Sequence, residues 1–336
     1  MSVRRSLVTA CVFLIAIHVA ALGAGFVAPY PPTAQNRMLP YAPPTRLHIV
    51  DEARRLHLRP FVYALSEEGG VGAAYPEDRG QAFPVRLLVR DSASGRLHLF
   101  GVDEPARLFL LGTDGFGRDQ LSRLLHGARI SLFAGLIATA LSAGVGWLLG
   151  LCAGFYGRWV DSLVMRAADV FLALPWLYLL FAVRAVLPLH VSAVHAFLLI
   201  VVVIGLVDWA RSARLVRGVV LSVRERNYVL AARGFGASDL YLIRRHIAPA
   251  TLGVLLTQAA LLVPQYILAE VTLSFLGLGV GEPVPSWGNM LTALQRYYVL
   301  TAYWWMWVPG IALVPVFLAY FLLSEALHDR VGHTSH

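Results

Sequence analysis

The sequence has no lysine: all 28 basic residues among its 336 are arginine. The usual ATPase phosphate loop ends in Gly-Lys-Ser/Thr, so this chain cannot carry one of that type. Charge of either sign is scarce, 14% of residues against 57% apolar, and mean hydropathy is +0.64. A soluble domain of this length needs more polar surface than that. There are two cysteines, Cys11 and Cys152, both inside apolar runs. They read as small packing residues, not as a disulfide or a metal pair. No His-Glu-x-x-His occurs, and His18, His190 and His195 stand alone, which argues against a membrane-embedded metallohydrolase. A secondary transporter would need a midplane ion site and often internal repeats, and neither is visible.

What is present is apolar sequence of bilayer length. Runs near residues 7–28, 130–154, 163–187, 191–210, 250–275 and 304–323 are each long enough, at roughly 20 residues, to cross lipid as a helix. The expected fold is therefore an all-α polytopic membrane protein with about six transmembrane helices. Arg4 and Arg5 precede the first run, and Val8-Thr9-Ala10-Cys11 resembles a lipoprotein cleavage box. The apolar run continues well past Cys11, so a retained anchor is the expectation. Eight arginines (211, 214, 217, 224, 226, 233, 244, 245) face only Glu225 and Asp239 between positions 211 and 246. Arg-rich short loops lie in the cytoplasm, which puts this loop and both termini inside. The expected division is an anchor helix at 1–28, an extracytoplasmic β-prone insertion at 29–110, a core at 111–330 with five spans and a cytoplasmic loop at 211–248, and a cytoplasmic tail at 331–336.

The insertion opens on a proline-rich tether. It continues with "TRLHIVD", "RRLHLRPFVYAL", "FPVRLLV" and "GRLHLF", short β-prone runs separated by turn-like "EEGG" and "DSASG". Arg-Leu-His recurs at Arg46, Arg55 and Arg96. His48, His57 and His98 alternate with apolar residues as strand faces do, and a small β-rich cap accounts for them better than a metal site. "LGTDGFGRDQLSRLLHGARISL" (111–132) reads as a glycine turn and then an amphipathic helix at the outer interface. Asp119 and Arg123 are set there for an i,i+4 pair. Gly146, Gly150 and Gly154 then form a small-residue face that suits close helix packing, in a bundle or at a subunit contact.

In "NYVLAARGFGASDLYLIRRHIAPA" (227–250) the pattern is helix, glycine break, Ser238 or Asp239 as N-cap, helix, then Pro249. A basic loop that only sets topology needs none of this order. The stretch resembles the signature loop of ABC-importer permeases, Glu-Ala-Ala with a glycine after three further residues and a closing Ile and Pro. Ala231 and Ala232 match the pair, Gly236 the glycine, and Ile247 and Pro249 the end; Leu230 stands at the Glu position. "FYGRWVDSLVMRAADVFLALP", "LAEVTLSFLGLGVGEPVPSWGNML" and "TAYWWMWVPGIAL" agree as well. Together with 111–132 they look like the C-type permease subunit of dipeptide, oligopeptide and nickel importers, across about 111–330.

That resemblance implies the type I importer permease arrangement in a bacterial cytoplasmic (inner) membrane. It also implies a partner set: a second permease subunit, two cytoplasmic ABC ATPases and an extracytoplasmic binding protein. ATP and Mg would sit on the ATPases and no cofactor on this chain; no nucleic-acid partner is expected. A coupling helix is implied over Ala231, Ala232, Arg233, Gly236, Ala237, Ser238 and Asp239, with Pro249 behind it. Peptides are the implied substrate, with nickel or another small solute as the alternative. Ionisable groups inside spans are functional candidates. Glu270, with Ser274 one turn on, is the leading one for the substrate path or gate, and a packing carboxylate is the other reading. Arg184 is a lesser candidate. Asp169 and Asp208 are expected to pair with arginines. Pro264, Pro309 and Pro315 suggest kinks, and Trp287, Trp304, Trp305 and Trp307 an aromatic belt.

Overall fold

The computed structural model describes residues 2–51, 54–66, 75–90, 95–175, 178–179, 181–182 and 192–333. Helices dominate. The first, α1, is Ser2–Leu22, followed by the short α2, Ala24–Val27. Five strands come next: β1 His48–Val50, β2 Leu56–Leu65, β3 Glu77–Pro84, β4 Arg86–Arg90 and β5 Leu97–Gly101. Then follow α3 Gln120–Tyr156, α4 Arg158–Ala173, α5 Ala193–Val207, α6 Trp209–Val223, α7 Asn227–Gly234 and α8 Asp239–Leu242. A π turn, Ile243–Ile247, leads into α9, Ala248–Phe275. The chain closes with α10 Trp287–Leu291, α11 Tyr297–Ala302 and α12 Val308–His333.

Among the described residues, three helical stretches are long and apolar enough to cross a membrane: Gln120–Tyr156, Asp239–Phe275 and Trp304–Asp329. The apolar part of α1, Ser6–Leu22, is shorter. Of the expected third span only the start falls in α4, and Arg184 and His190 lie outside the described residues. Residues 111–132 do not make a separate interfacial helix. From Gln120 onward they are the first turns of α3, because nothing between Gln120 and Tyr156 breaks the helical hydrogen bonding.

Two compact units can be distinguished. One comprises 1–14, 132–270 and 315–336; the other comprises 15–131 and 271–314. In the first, the glycine face of α3 lies against α6. A Cβ on Gly150 would sit 2.6 Å from the Ala213 carbonyl, and one on Gly154 2.6 Å from Val220 Cβ. The stripe thus serves packing within this chain. Trp147 Nε1 also donates to Thr251 Oγ1 at 2.8 Å. Asp161 accepts from Arg217, and Asp169 from Arg214. Asp208 has a different partner from the expected arginine: it accepts from the Tyr266 hydroxyl at 3.0 Å. Pro264 and Pro315 lie inside α9 and α12. Pro309 occupies the first turn of α12, where a missing N–H costs no bond and no kink is needed.

In the second unit the strands form antiparallel sheets, β1-β2-β3 and β4-β5. Each Arg-Leu-His leads into a strand, β1, β2 or β5. Strand β3, "EDRGQAFP", carries little β-propensity and was not expected from its sequence before Phe83. His48 pairs with Glu77 at 3.0 Å and His57 with Asp51 at 3.1 Å, while His98 Nδ1 bonds Ala28 O at 2.6 Å. No group of three metal-binding side chains occurs among the described residues. Trp287 and Trp305 are buried, not belt residues; their indole N–H groups donate to Leu124 O and Thr113 O. Trp304 and Trp307 are exposed, as a belt requires.

Gly150→Val forces a side chain into the Ala213 backbone, an overpacking cost of about 2 kcal/mol. Its thermal midpoint in detergent should fall, while Gly144→Ala, whose Cβ meets nothing within 4 Å, should melt like the parent. Equal midpoints for all three would mean that the stripe is not a packing face.

Candidate functional site

The segment from α7 to the start of α9 is built from its turn chemistry. Arg226, extended, precedes α7. After Gly234 the chain breaks at Gly236, whose φ of +84° is a left-handed conformation that favours glycine. Ser238 is the N-cap of α8, its Oγ accepting from Tyr241 N–H at 3.4 Å. The helix, glycine break, Ser238 cap and second helix read from the sequence are thus present, and the coupling segment Ala231–Asp239 spans two helix ends around a glycine corner. The π turn then absorbs one extra residue before Pro249, which falls in the first turn of α9.

The two faces of this corner differ sharply. Val229, Leu242 and Ile247 are buried with Leu151, Phe155, Val216, Val220 and Val223 in one cluster, and Ala232 and Ala237 pack onto it. Arg224 ties it to α3 through the Gly154 carbonyl at 2.9 Å, and the Arg233 guanidinium stands 5.3 Å from the Phe155 ring centroid. On the other face Phe235 is 92% exposed and Leu240 64%, with Leu230 and Tyr241 about half exposed. Arg226, Arg244 and Arg245 make no ion pair among the described residues. Ala231, Ser238 and Asp239 are exposed as well. This face thus combines exposed bulky apolar side chains with arginines that make no ion pair among the described residues, above a buried underside.

A second constellation lies in the other unit. Arg118 donates to Asp114 at 2.7 Å and to both oxygens of Glu282 at 2.7 and 3.1 Å. Arg123 donates to Glu282 at 2.9 Å, and its Nε is 3.6 Å from Asp114. Arg123 therefore does not make the expected pair with Asp119. The Asp119 carboxylate turns back instead to Ser122 N–H and Oγ–H, as an N-cap does. Burial disfavours ionised Glu282, but the Arg118 hydrogen bonds and the Arg123 charge outweigh it and hold the carboxyl below its ordinary range. Burial likewise opposes the Arg118 charge, and Glu282 and Asp114 overcome it. The network fixes the segment after α9 to the turn before α3. Glu270 is 1% exposed and Ser274 2%. Ser274 accepts from Val280 N–H at 3.2 Å and lies beneath Gly279 and Gly288.

The profile of the family described as binding-protein-dependent transport system inner membrane component matches residues 146–333. The chain belongs to that family. The "Putative peptide permease protein" of Brucella suis biovar 1 is 39% identical over 246 residues, 73% of this chain and 76% of that protein. The dipeptide transport system permease protein DppC of Alkalihalophilus pseudofirmus is 37% identical over 228 residues, 68% of this chain and 72% of its own length. This protein is thus a permease subunit of an ATP-driven importer, an inner membrane component, and its corner at 227–249 lies within the matched residues.

Glu282→Gln removes the charge that the two buried arginines share. Breaking a buried pair costs roughly 3–5 kcal/mol, and Glu282 is half exposed, so about 2 kcal/mol is expected at pH 7.5. A depressed carboxyl stabilises above its unfolded value, and that stability is lost as pH falls through the folded one. The gap in midpoint between parent and variant should therefore close on acidification below about pH 4. A gap that persists unchanged there would rule out the ionic role.

Proposed function

We propose that this permease is half of a peptide translocation pathway and that the corner at 227–249 receives a separate ATPase chain. The observation that carries the reading is the two-faced corner: a buried underside keyed into α3 and α6, and an exposed face of Phe235, Leu230, Leu240 and Tyr241 among arginines. Ala231, Arg233, Gly236, Ser238 and Asp239 form the contact, Ala232 and Ala237 support it from the underside, and Pro249 starts the helix behind it. The free guanidiniums suit acidic edges on the ATPase. ATP and Mg belong to that chain, and the absence of lysine fits, since no usual phosphate loop is possible here.

The rest of the assembly follows from this placement. The Arg-rich loop and both termini are cytoplasmic, and residues 29–110 are on the outer side, where they dock a binding protein that delivers the peptide. A second permease chain completes the pathway. Peptide as substrate is drawn from the names of the two relatives, both called peptide or dipeptide permeases. Glu270 and Ser274 are the candidates for contact with substrate in a state that opens the outer end of α9.

Affinity purification of the tagged chain from its host tests the docking. The parent should bring down ATPase chains and a second permease. Gly236→Trp strains a φ of +84° and crowds the exposed face, and it should lose the ATPases while keeping the second permease. Retention of both by the variant would mean the corner is not the contact. In cells carrying the intact importer, Glu270→Gln should lower peptide uptake at least about tenfold with unchanged ATPase recovery; normal uptake would remove Glu270 from the path.

A further inference from the structure

Asp208 holds a carboxylate at bilayer depth. It separates α5 from α6 with φ −93° and ψ 13°, a sparsely populated backbone region in which many active-site residues sit. Its own N–H reaches Ile204 O only at 3.4 Å. Its Oδ2 accepts from the Tyr266 hydroxyl at 3.0 Å. Tyr266 is 4% exposed and lies inside Asp239–Phe275, a stretch that can cross a membrane. The packing of α6 gives the same depth. Trp209 and Ser212 meet Gly146, about 15 Å along α3 from its end at Tyr156.

The opposite charge is close by and unused. Arg211 stands three residues along α6, a spacing at which helix side chains meet. It is exposed and makes no ion pair among the described residues, although its charge reaches both Asp208 and Tyr266. A guanidinium and a carboxylate at this depth are each costly unless paired. Here they are one turn apart and not paired with each other. Asp208 is only half-buried, so its carboxylate is not sealed away from Arg211. The Tyr266 phenol has a second neighbour too, the buried Ser142 hydroxyl of α3.

Holding the helices together does not require this arrangement. A Cβ on Gly205 would lie 2.8 Å from Leu141 Cβ, and one on Gly135 2.5 Å from Ile267 Cγ1. Such backbone contacts join α5 and α9 to α3 without charge. A carboxylate with one partner engaged and another in reach is instead a contact with two discrete arrangements. From Asp208, α6 runs to the corner at 227–249. From Tyr266, one turn of α9 leads to Glu270 on the same face.

We infer that Asp208 exchanges partners during transport, from the Tyr266 hydroxyl in this state to the Arg211 guanidinium in another, and so carries movement of the corner to the part of α9 that bears Glu270. Asp208, Tyr266 and Arg211 are positioning residues in this scheme. Its link to transport rests on the corner reading above; the exchange itself does not.

The assembled importer would be purified from its host into nanodiscs. Leu206 and Leu261, both exposed, would be replaced by cysteine and spin-labelled, with Cys11 and Cys152 changed to alanine. Distances between the labels, without nucleotide and with ATP trapped by vanadate, give the ratio of the two arrangements. Tyr266→Phe keeps the ring and should shift that ratio about fivefold, the net worth of one hydrogen bond. Arg211→Gln, a change at an exposed side chain, should shift it about as far in the opposite direction. Arg211→Lys keeps the charge and should restore most of the parent ratio. Unchanged ratios in both variants, shifts of the same sign, or a lysine variant that behaves as glutamine does overturn the exchange. Recovery of ATPase chains reads the other question. Opposite shifts in a complex that holds no ATPase keep the exchange and sink the corner reading, and retained ATPases with no shift do the reverse.

Discussion

Three glycines spaced four apart on α3 let α6 settle against its backbone. At Gly146, Gly150 and Gly154 a Cβ would lie 2.6 Å from atoms of Ser212, Ala213 or Val220. Without hydrophobic driving force inside lipid, helices associate through such close contact. The approach has a consequence beyond α6. It brings Leu151 and Phe155 to Val216, Val220 and Val223, and this cluster is the bed on which Val229, Leu242 and Ile247 lie. The underside of the corner at 227–249 is keyed into that bed. A looser α3–α6 contact would leave the same residues as a floppy basic loop, able to meet a partner only after a large loss of entropy.

The exposed face of the corner follows from the same arrangement. Phe235 at 92% exposure gains nothing by folding. A chain that packs its neighbours Ala232 and Ala237, half-buried, onto the cluster but raises Phe235 away from them has placed it there by backbone geometry, through the glycine φ at 236. Association with another chain is the process in which such a side chain recovers burial free energy, of order 2 kcal/mol.

The corner was legible because each of its signals is local: a glycine in a break, Ser238 as cap, a proline in the first turn of the next helix. The small-residue stripe was legible for the same reason, although its partner within the chain was not. The ion network around Glu282 was invisible to spacing. Arg118 and Glu282 are 164 residues apart, and the nearer candidate for Arg123, Asp119, was the wrong one because N-capping competes for the same carboxylate. Trp287 misled in another way. Tryptophan suits an interface and a core equally well, and only the proximity of Leu124 O decides between them. Strand β3 escaped because its partners supply the pairing that its own residues do not favour.

The absence of lysine has a structural side. Arg118 makes three hydrogen bonds at once, one to Asp114 and two to Glu282, through nitrogens held in one plane. An ammonium group is a point donor on a flexible stem and cannot span two carboxylates in that way. Desolvating two arginines at this site is offset by the carboxylates of Asp114 and Glu282 and their hydrogen bonds, and a guanidinium is more weakly hydrated than an ammonium. Asp114 and Glu282 thus require arginine specifically at 118, whatever first drove lysine from the chain. The same logic applies to Arg224, which reaches the Gly154 carbonyl at 2.9 Å near the C-terminal end of α3. Its role at the C-terminal end of that helix is a directed hydrogen bond to the backbone, which net positive charge in a loop would not by itself provide.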